Sequence, residues 1–172
     1  MTEATAADGY GGLFGAFPFA LRRSRSLVFK LYVVVGAVMA LVIALLFILG
    51  LIRIFADTGG TATLAFARTF VVVVGLLVVV PIVTPVLLVA RRHRRGIGDD
   101  ARYDRRLALS GFLFIGTLYV GLIPTVPPEH RTEVDGTLAP VVESLYGLPW
   151  TVGLSIVIAG ALAVYLAHRL SR

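Results

Sequence analysis

The sequence contains no cysteine and a single lysine, Lys30. The first absence excludes disulfides, thiolate catalysis and cysteine metal sites. The second leaves 15 of the 16 basic residues as arginine, a bias that by itself supports no mechanism. Charge is scarce altogether: 15% of residues against about 25% in a soluble domain, with 58% apolar and a mean hydropathy of +0.90. That is a membrane composition. Within the long apolar runs there is no Asp, Glu, Lys, Arg or His. Ionisable groups inside a membrane mark proton relays and ion paths, so their absence weighs against a proton-coupled pump. The P-loop, GxSxG, HExxH and dinucleotide-binding motifs are also missing. The chain is expected to be no enzyme and to hold no cofactor and no metal.

What is present is four long uncharged runs. Leu31–Ile52, Thr69–Ala90, Leu107–Pro124 and Leu148–Ala167 hold 22, 22, 18 and 20 residues. About 20 helical residues cross a hydrocarbon core of ~30 Å. With their flanks they predict spans at about 27–52, 69–90, 107–124 and 148–168. The expected fold is an all-α membrane protein with four transmembrane helices in two hairpins. It forms a single domain, 13–172, behind a small, polar and Gly-rich tail, 1–12, that reads as disordered. Two short pieces are added to the spans. Leu13–Leu21, with three phenylalanines ahead of Arg22 and Arg23, suits an interfacial segment. Leu138, Val141, Val142, Leu145 and Tyr146 fall at the spacing of an amphipathic helix on the outer side, too short to cross.

The polar run Arg91–Arg106 divides the two hairpins. Its pI-raising arginines (the whole chain reaches about 10.3) would suit nucleic acid if they were spread over one face. They sit instead at the ends of apolar runs, which is the membrane pattern, so no nucleic-acid partner is expected. Arg91, Arg92, Arg94 and Arg95 complement the negative end of the second helix, Gly96 and Gly98 break it, and Asp99 or Asp100 is placed to cap the next. Arg102, Arg105 and Arg106 follow on its first turns. These seven arginines are candidate contacts for anionic lipid headgroups or for an acidic partner.

The same run fixes orientation. Thirteen basic residues fall in the segments before the first span, between the second and third, and after the fourth. Three, Arg53, Arg68 and Arg131, fall on the other side, while the ten acidic residues divide equally. The positive-inside rule then puts both termini in the cytoplasm of a cell-membrane, multi-pass protein.

Packing faces can also be read. Gly36, Ala40 and Ala44 on the first span, and Ser155, Ala159 and Ala163 on the fourth, make small-residue ridges where another helix can approach. Pro81 and Pro85, one turn apart, bend the second span and free carbonyls that Thr84 or a neighbouring helix could satisfy. Outside the spans, Glu129, His130 and Glu133 form a sparse metal-like set that nothing nearby completes; hydrated loop charges are the commoner reading.

The GlyLeuPheGlyAlaPheProPheAlaLeuArgArg segment at 12–23, four short-looped spans and the ArgArgHisArgArg hairpin at 91–95 together resemble small four-span membrane proteins of unknown function from halophilic archaea. The resemblance implies membrane residence and no activity. The leading expectation is a non-enzymatic structural or assembly component whose partners are the lipid bilayer with anionic headgroups and a second copy or larger membrane complex. The rival is a small transporter or channel subunit gated around the Pro81/Pro85 bend.

Overall fold

The computed structural model describes residues 12–57, 69–70, 73, 75–97, 100–132 and 134–171. The tail expected to be disordered, up to Gly11, and the connection carrying Thr58, Gly59, Gly60 and Arg68 lie outside them. Among the described residues all regular structure is helical. Three helices are long and apolar enough to cross a membrane: Leu27–Arg53, Ala101–Thr125 and Trp150–Leu170.

Helix α1, Gly12–Arg23, occupies the stretch expected as an interfacial segment. It buries Ala16 and Ala20, one turn apart, against the third helix rather than lying free. Ser24–Ser26 turns the chain, and the Ser26 hydroxyl accepts from the Phe29 backbone N–H at 3.3 Å, capping the next helix. That helix, α2, is Leu27–Asp57. Phe29, Tyr32, Val33 and Gly36 face inward, while Leu31, Val34, Val38 and Leu41 face outward. Beyond Ala40 most of its described side chains are exposed, including Ala44 of the expected ridge.

The second expected span is described only in part. Phe70 stacks on Phe47 of α2, with ring centroids 5.3 Å apart. Further along, a π-helical turn, Gly75–Val79, runs directly into α3, Val80–Arg94. The turn contains Leu77, whose carbonyl lies four residues before Pro81 and would otherwise be crowded by its ring; widening the helix there relieves the clash. Pro81 and Pro85 are both buried. The carbonyls flanking Pro81 are engaged. Thr84 donates to Val80 at 2.6 Å and Tyr32 donates to Ile82, also at 2.6 Å; neither carbonyl lies four residues before Pro81 or Pro85, where a proline removes the donor.

Helix α4, Ala101–Leu122, begins six residues before the uncharged run because the charged turn ahead of it is already helical. Asp100 caps it, accepting from the Arg102 backbone N–H at 2.9 Å. Pro124 then converts its end to a 3-10 turn, Ile123–Thr125. After a second 3-10 turn, Pro128–His130, comes α5, Ala139–Tyr146, and Gly147 closes it. The last helix is α6, Trp150–Leu170. On α5 Leu138 and Val141 are exposed, while Val142, Leu145 and Tyr146 are half-buried, so its apolar face is only partly covered. Arg131 reaches across to it, with its guanidinium 5.2 Å from the Tyr146 ring centroid.

The most extensive helix pair is α4 with α6. Its seam is made of Gly121 and Thr117 on one side and Gly153, Val157, Gly160 and Val164 on the other. A methyl added at Gly153 would meet the Gly121 carbonyl, and one at Gly160 would meet the Thr117 side chain. The ridge read from sequence on this helix lies elsewhere: Ser155 and Ala159 are exposed and Ala163 half-buried. On α2, Gly36 is buried against Tyr32 and Ile82, and Ala40 is half-buried. The Tyr32 ring also occupies the space that a side chain at Gly111 would need.

Candidate functional site

Three serine and threonine hydroxyls within the long helices are turned back on their own backbones. Ser110 donates to Leu107 at 2.8 Å, Thr117 to Phe114 at 2.8 Å and Ser155 to Thr151 at 2.9 Å. Three hydrogen bonds between side chains of distant segments lie instead at the end where the basic residues cluster.

Asp104 is the centre of that end. In the sequence it stands among Arg102, Arg105 and Arg106; it is 1% exposed, on the first turn of α4. Its neighbour in sequence, Tyr103, is buried with it, and both continue a face formed by Leu107, Ala108, Gly111, Phe114 and Leu118. The helix buries that face throughout, so a charge on it is buried too. The cost of desolvation is met by partners. Ser24, in the turn between α1 and α2, donates to Asp104 Oδ2 at 2.6 Å. His93 Nε2, on the last turn of α3, approaches the same oxygen at 3.1 Å. One carboxylate oxygen therefore joins three segments.

The order of contacts decides what this group can do. In a nucleophilic relay the imidazole stands between hydroxyl and carboxylate and takes the proton from the hydroxyl. Here the carboxylate stands between the other two, and Ser24 Oγ faces Asp104 rather than His93. The arrangement orients and holds; it does not set a base against a nucleophile.

Beside it a second set forms. The Tyr103 hydroxyl meets His168 Nδ1, near the end of α6, at 2.7 Å. The guanidinium of Arg92 lies 4.1 Å from the Tyr103 ring centroid, within cation–π range. Arg92 also donates from Nε to the Ile97 carbonyl at 3.0 Å, and its terminal nitrogen lies 3.5 Å from the Ser171 carbonyl. Arg92 is half-buried, unlike Arg91, Arg94, Arg95, Arg102, Arg105 and Arg106, which are exposed. Around Arg92 opens a cavity of about 380 Å³, lined also by Leu88, Ile97, Tyr103, His168, Arg91 and Arg95.

Of the seven arginines singled out in the sequence, the cavity thus brings three together and leaves four on the outer surface of α3 and α4. Sequence reading missed Asp104, Tyr103, His93 and His168 as a set. The spacing of Tyr103 and Asp104 with the apolar face of α4 was the available signal. His130 and Glu129 are exposed on the opposite side, and Glu133 lies outside the described residues.

A family model described as a domain of unknown function, DUF8056, matches residues 1–172. No curated protein and no solved structure matches the chain.

Proposed function

The chain belongs to that family, DUF8056, and we propose that it is a four-span integral membrane protein acting as a non-enzymatic structural or assembly component. The observation that carries the second span, the one absent from the three long apolar helices, is the pair of contacts made near its two ends. Phe70 stacks on Phe47, twenty residues along α2 from Leu27. His93 returns to the level of Ser24, through Asp104. Twenty residues of helix rise about 30 Å, so the chain between Phe70 and His93 covers the same height as α2 in the opposite direction. That is the first hairpin; α4 and α6, joined through the outer turns and α5, make the second.

The basic end faces the cytoplasm in this reading, with both termini there. The thirteen-to-three distribution of basic residues supports it. A packing role rather than a catalytic one is supported by the buried polar set, in which Asp104 holds Ser24 and His93 and no base faces a nucleophile. Exposure of Ser155 and Ala159 outside the α4–α6 seam leaves a small-residue face for a second copy or a larger membrane complex.

Because the native chain has no cysteine, single cysteines report topology without background. Ala101→Cys and Asp135→Cys are both at exposed positions on opposite sides. An impermeant thiol reagent applied to intact cells is expected to label Asp135→Cys and to spare Ala101→Cys until the membrane is opened. Labelling in the reverse order would refute the orientation, and equal labelling of both would refute the spans between them.

A further inference from the structure

We propose that the cavity around Arg92 is a discrete binding site for the phosphodiester headgroup of an anionic lipid from the cytoplasmic leaflet. The proposal rests on the membrane reading above. Three properties of the cavity point to this ligand.

The first is charge held in place. Arg92 is fixed from two sides, by the Tyr103 ring at 4.1 Å and by the Ile97 carbonyl at 3.0 Å. A guanidinium already ordered in this way loses little freedom when it binds an anion. Arg91 and Arg95, both exposed, line the same cavity, so three arginines border one space. Guanidinium groups match a phosphate in geometry as well as in charge.

The second is the balance against opposing charge. Helices α3 and α6 both end here, and a helix C-terminus repels anions. Those ends are already engaged: the Arg95 backbone N–H meets the carbonyls of Arg91 and Arg92, the Gly96 N–H meets that of His93, and the Arg92 side chain reaches those of Ile97 and Ser171. The one buried carboxylate nearby, Asp104, is engaged by Ser24 and His93. Arginine therefore supplies the charge among the residues that line the cavity, and no carboxylate is one of them.

The third is the apolar part of the lining. Leu88 and Ile97 border the same space. A small inorganic anion has no use for them, whereas the glycerol and upper acyl carbons of a lipid would cover them. A volume of about 380 Å³ accommodates a headgroup and its backbone and leaves the chains in the bilayer.

The test uses the full chain in mild detergent, with bound lipid read by native mass spectrometry. The probes are phosphatidylglycerol, phosphatidylcholine of the same chain length, and inorganic phosphate. Wild type is expected to retain phosphatidylglycerol, to exchange it poorly for phosphatidylcholine, and to keep it in equimolar inorganic phosphate. Arg91→Gln/Arg95→Gln is expected to weaken retention about tenfold, while Arg22→Gln/Arg23→Gln, with the same loss of charge on exposed residues of α1, leaves it unchanged. Equal weakening in both variants would reduce the site to diffuse attraction and overturn the proposal. Displacement by inorganic phosphate would assign the cavity to a soluble anion, and absence of retained phosphatidylglycerol on wild type would remove the site altogether; both overturn it. The Ala101→Cys and Asp135→Cys labels, placed in the same backgrounds, separate this failure from that of the membrane reading. Eleven inner basic residues remain in Arg91→Gln/Arg95→Gln, so its topology is expected to hold whatever becomes of the lipid.

Discussion

The hydroxyl of Tyr32 donates to the carbonyl of Ile82 at 2.6 Å, between residues fifty positions apart in the chain. Tyr32 is buried, its ring stands edge-on to Phe112 with centroids 5.1 Å apart, and it fills the space opposite Gly111. One side chain of α2 thus touches α3 and α4 at the level of Pro81 and Pro85.

Tyr32→Phe keeps the ring and removes the hydroxyl. The expected loss is about 1 kcal/mol, the scale of a side-chain hydrogen bond between membrane helices. Thermal unfolding in detergent measures it. A melting curve identical to wild type would mean that the Ile82 carbonyl needs no second donor.

Gly153→Ala and Gly111→Ala each put a methyl where another residue already stands, the first against the Gly121 backbone and the second against the Tyr32 ring. Overpacking of this kind costs ~1–3 kcal/mol. Ala159→Leu, on the exposed face of the same helix as Gly153, is expected to leave monomer stability unchanged and to lower oligomer size or partner recovery. Destabilisation by Ala159→Leu equal to that by Gly153→Ala would show that the seam has been assigned to the wrong face.

Asp104→Ala leaves the Ser24 hydroxyl and the His93 ring without their shared acceptor. An expected cost of about 3 kcal/mol follows from stranding buried polar groups. Adding Ser24→Ala to Asp104→Ala should cost far less than Ser24→Ala alone, since its partner is already gone. Strict additivity in denaturant unfolding would argue that the two residues act independently.

Arg131→Ala removes both the 5.2 Å stack on Tyr146 and a 3.2 Å bond from Nε to the Val126 carbonyl. Helix α5 has no fully buried residue to hold it otherwise. Hydrogen exchange in residues 139–146 is expected to speed up by about fivefold, matching the ~1 kcal/mol of an exposed cation–π contact, with α4 and α6 unaffected. Unchanged exchange would place the anchoring of α5 in its own packing.

The sequence made the three described spans legible because each is a property of one segment alone: length without charge, bounded by arginines, prolines or Trp150. For the same reason the cap was legible as one of two candidates, Asp99 or Asp100, of which Asp100 caps the helix. What failed to show was anything that depends on two segments meeting. The small-residue spacing at Ser155, Ala159 and Ala163 is as regular as that at Gly153, Val157, Gly160 and Val164, and only the shape of α4 selects between them. Asp104 did not stand out among Arg102, Arg105 and Arg106, which are exposed; its own position on the buried face of α4 was encoded in the spacing to Leu107, Gly111 and Phe114. The partnership with Ser24, eighty residues earlier, had no local mark.

Tyr103 and Asp104 are adjacent, yet they fasten opposite ends of the polypeptide. Asp104 joins backward, to Ser24 and His93, both of which leave the ribosome before it does. Tyr103 joins forward, to His168, and must wait for sixty-five more residues to be made. The first half can therefore be latched while the second is still being synthesised, and the second closes onto a frame already set. One peptide bond carries the boundary between an early and a late stage of assembly.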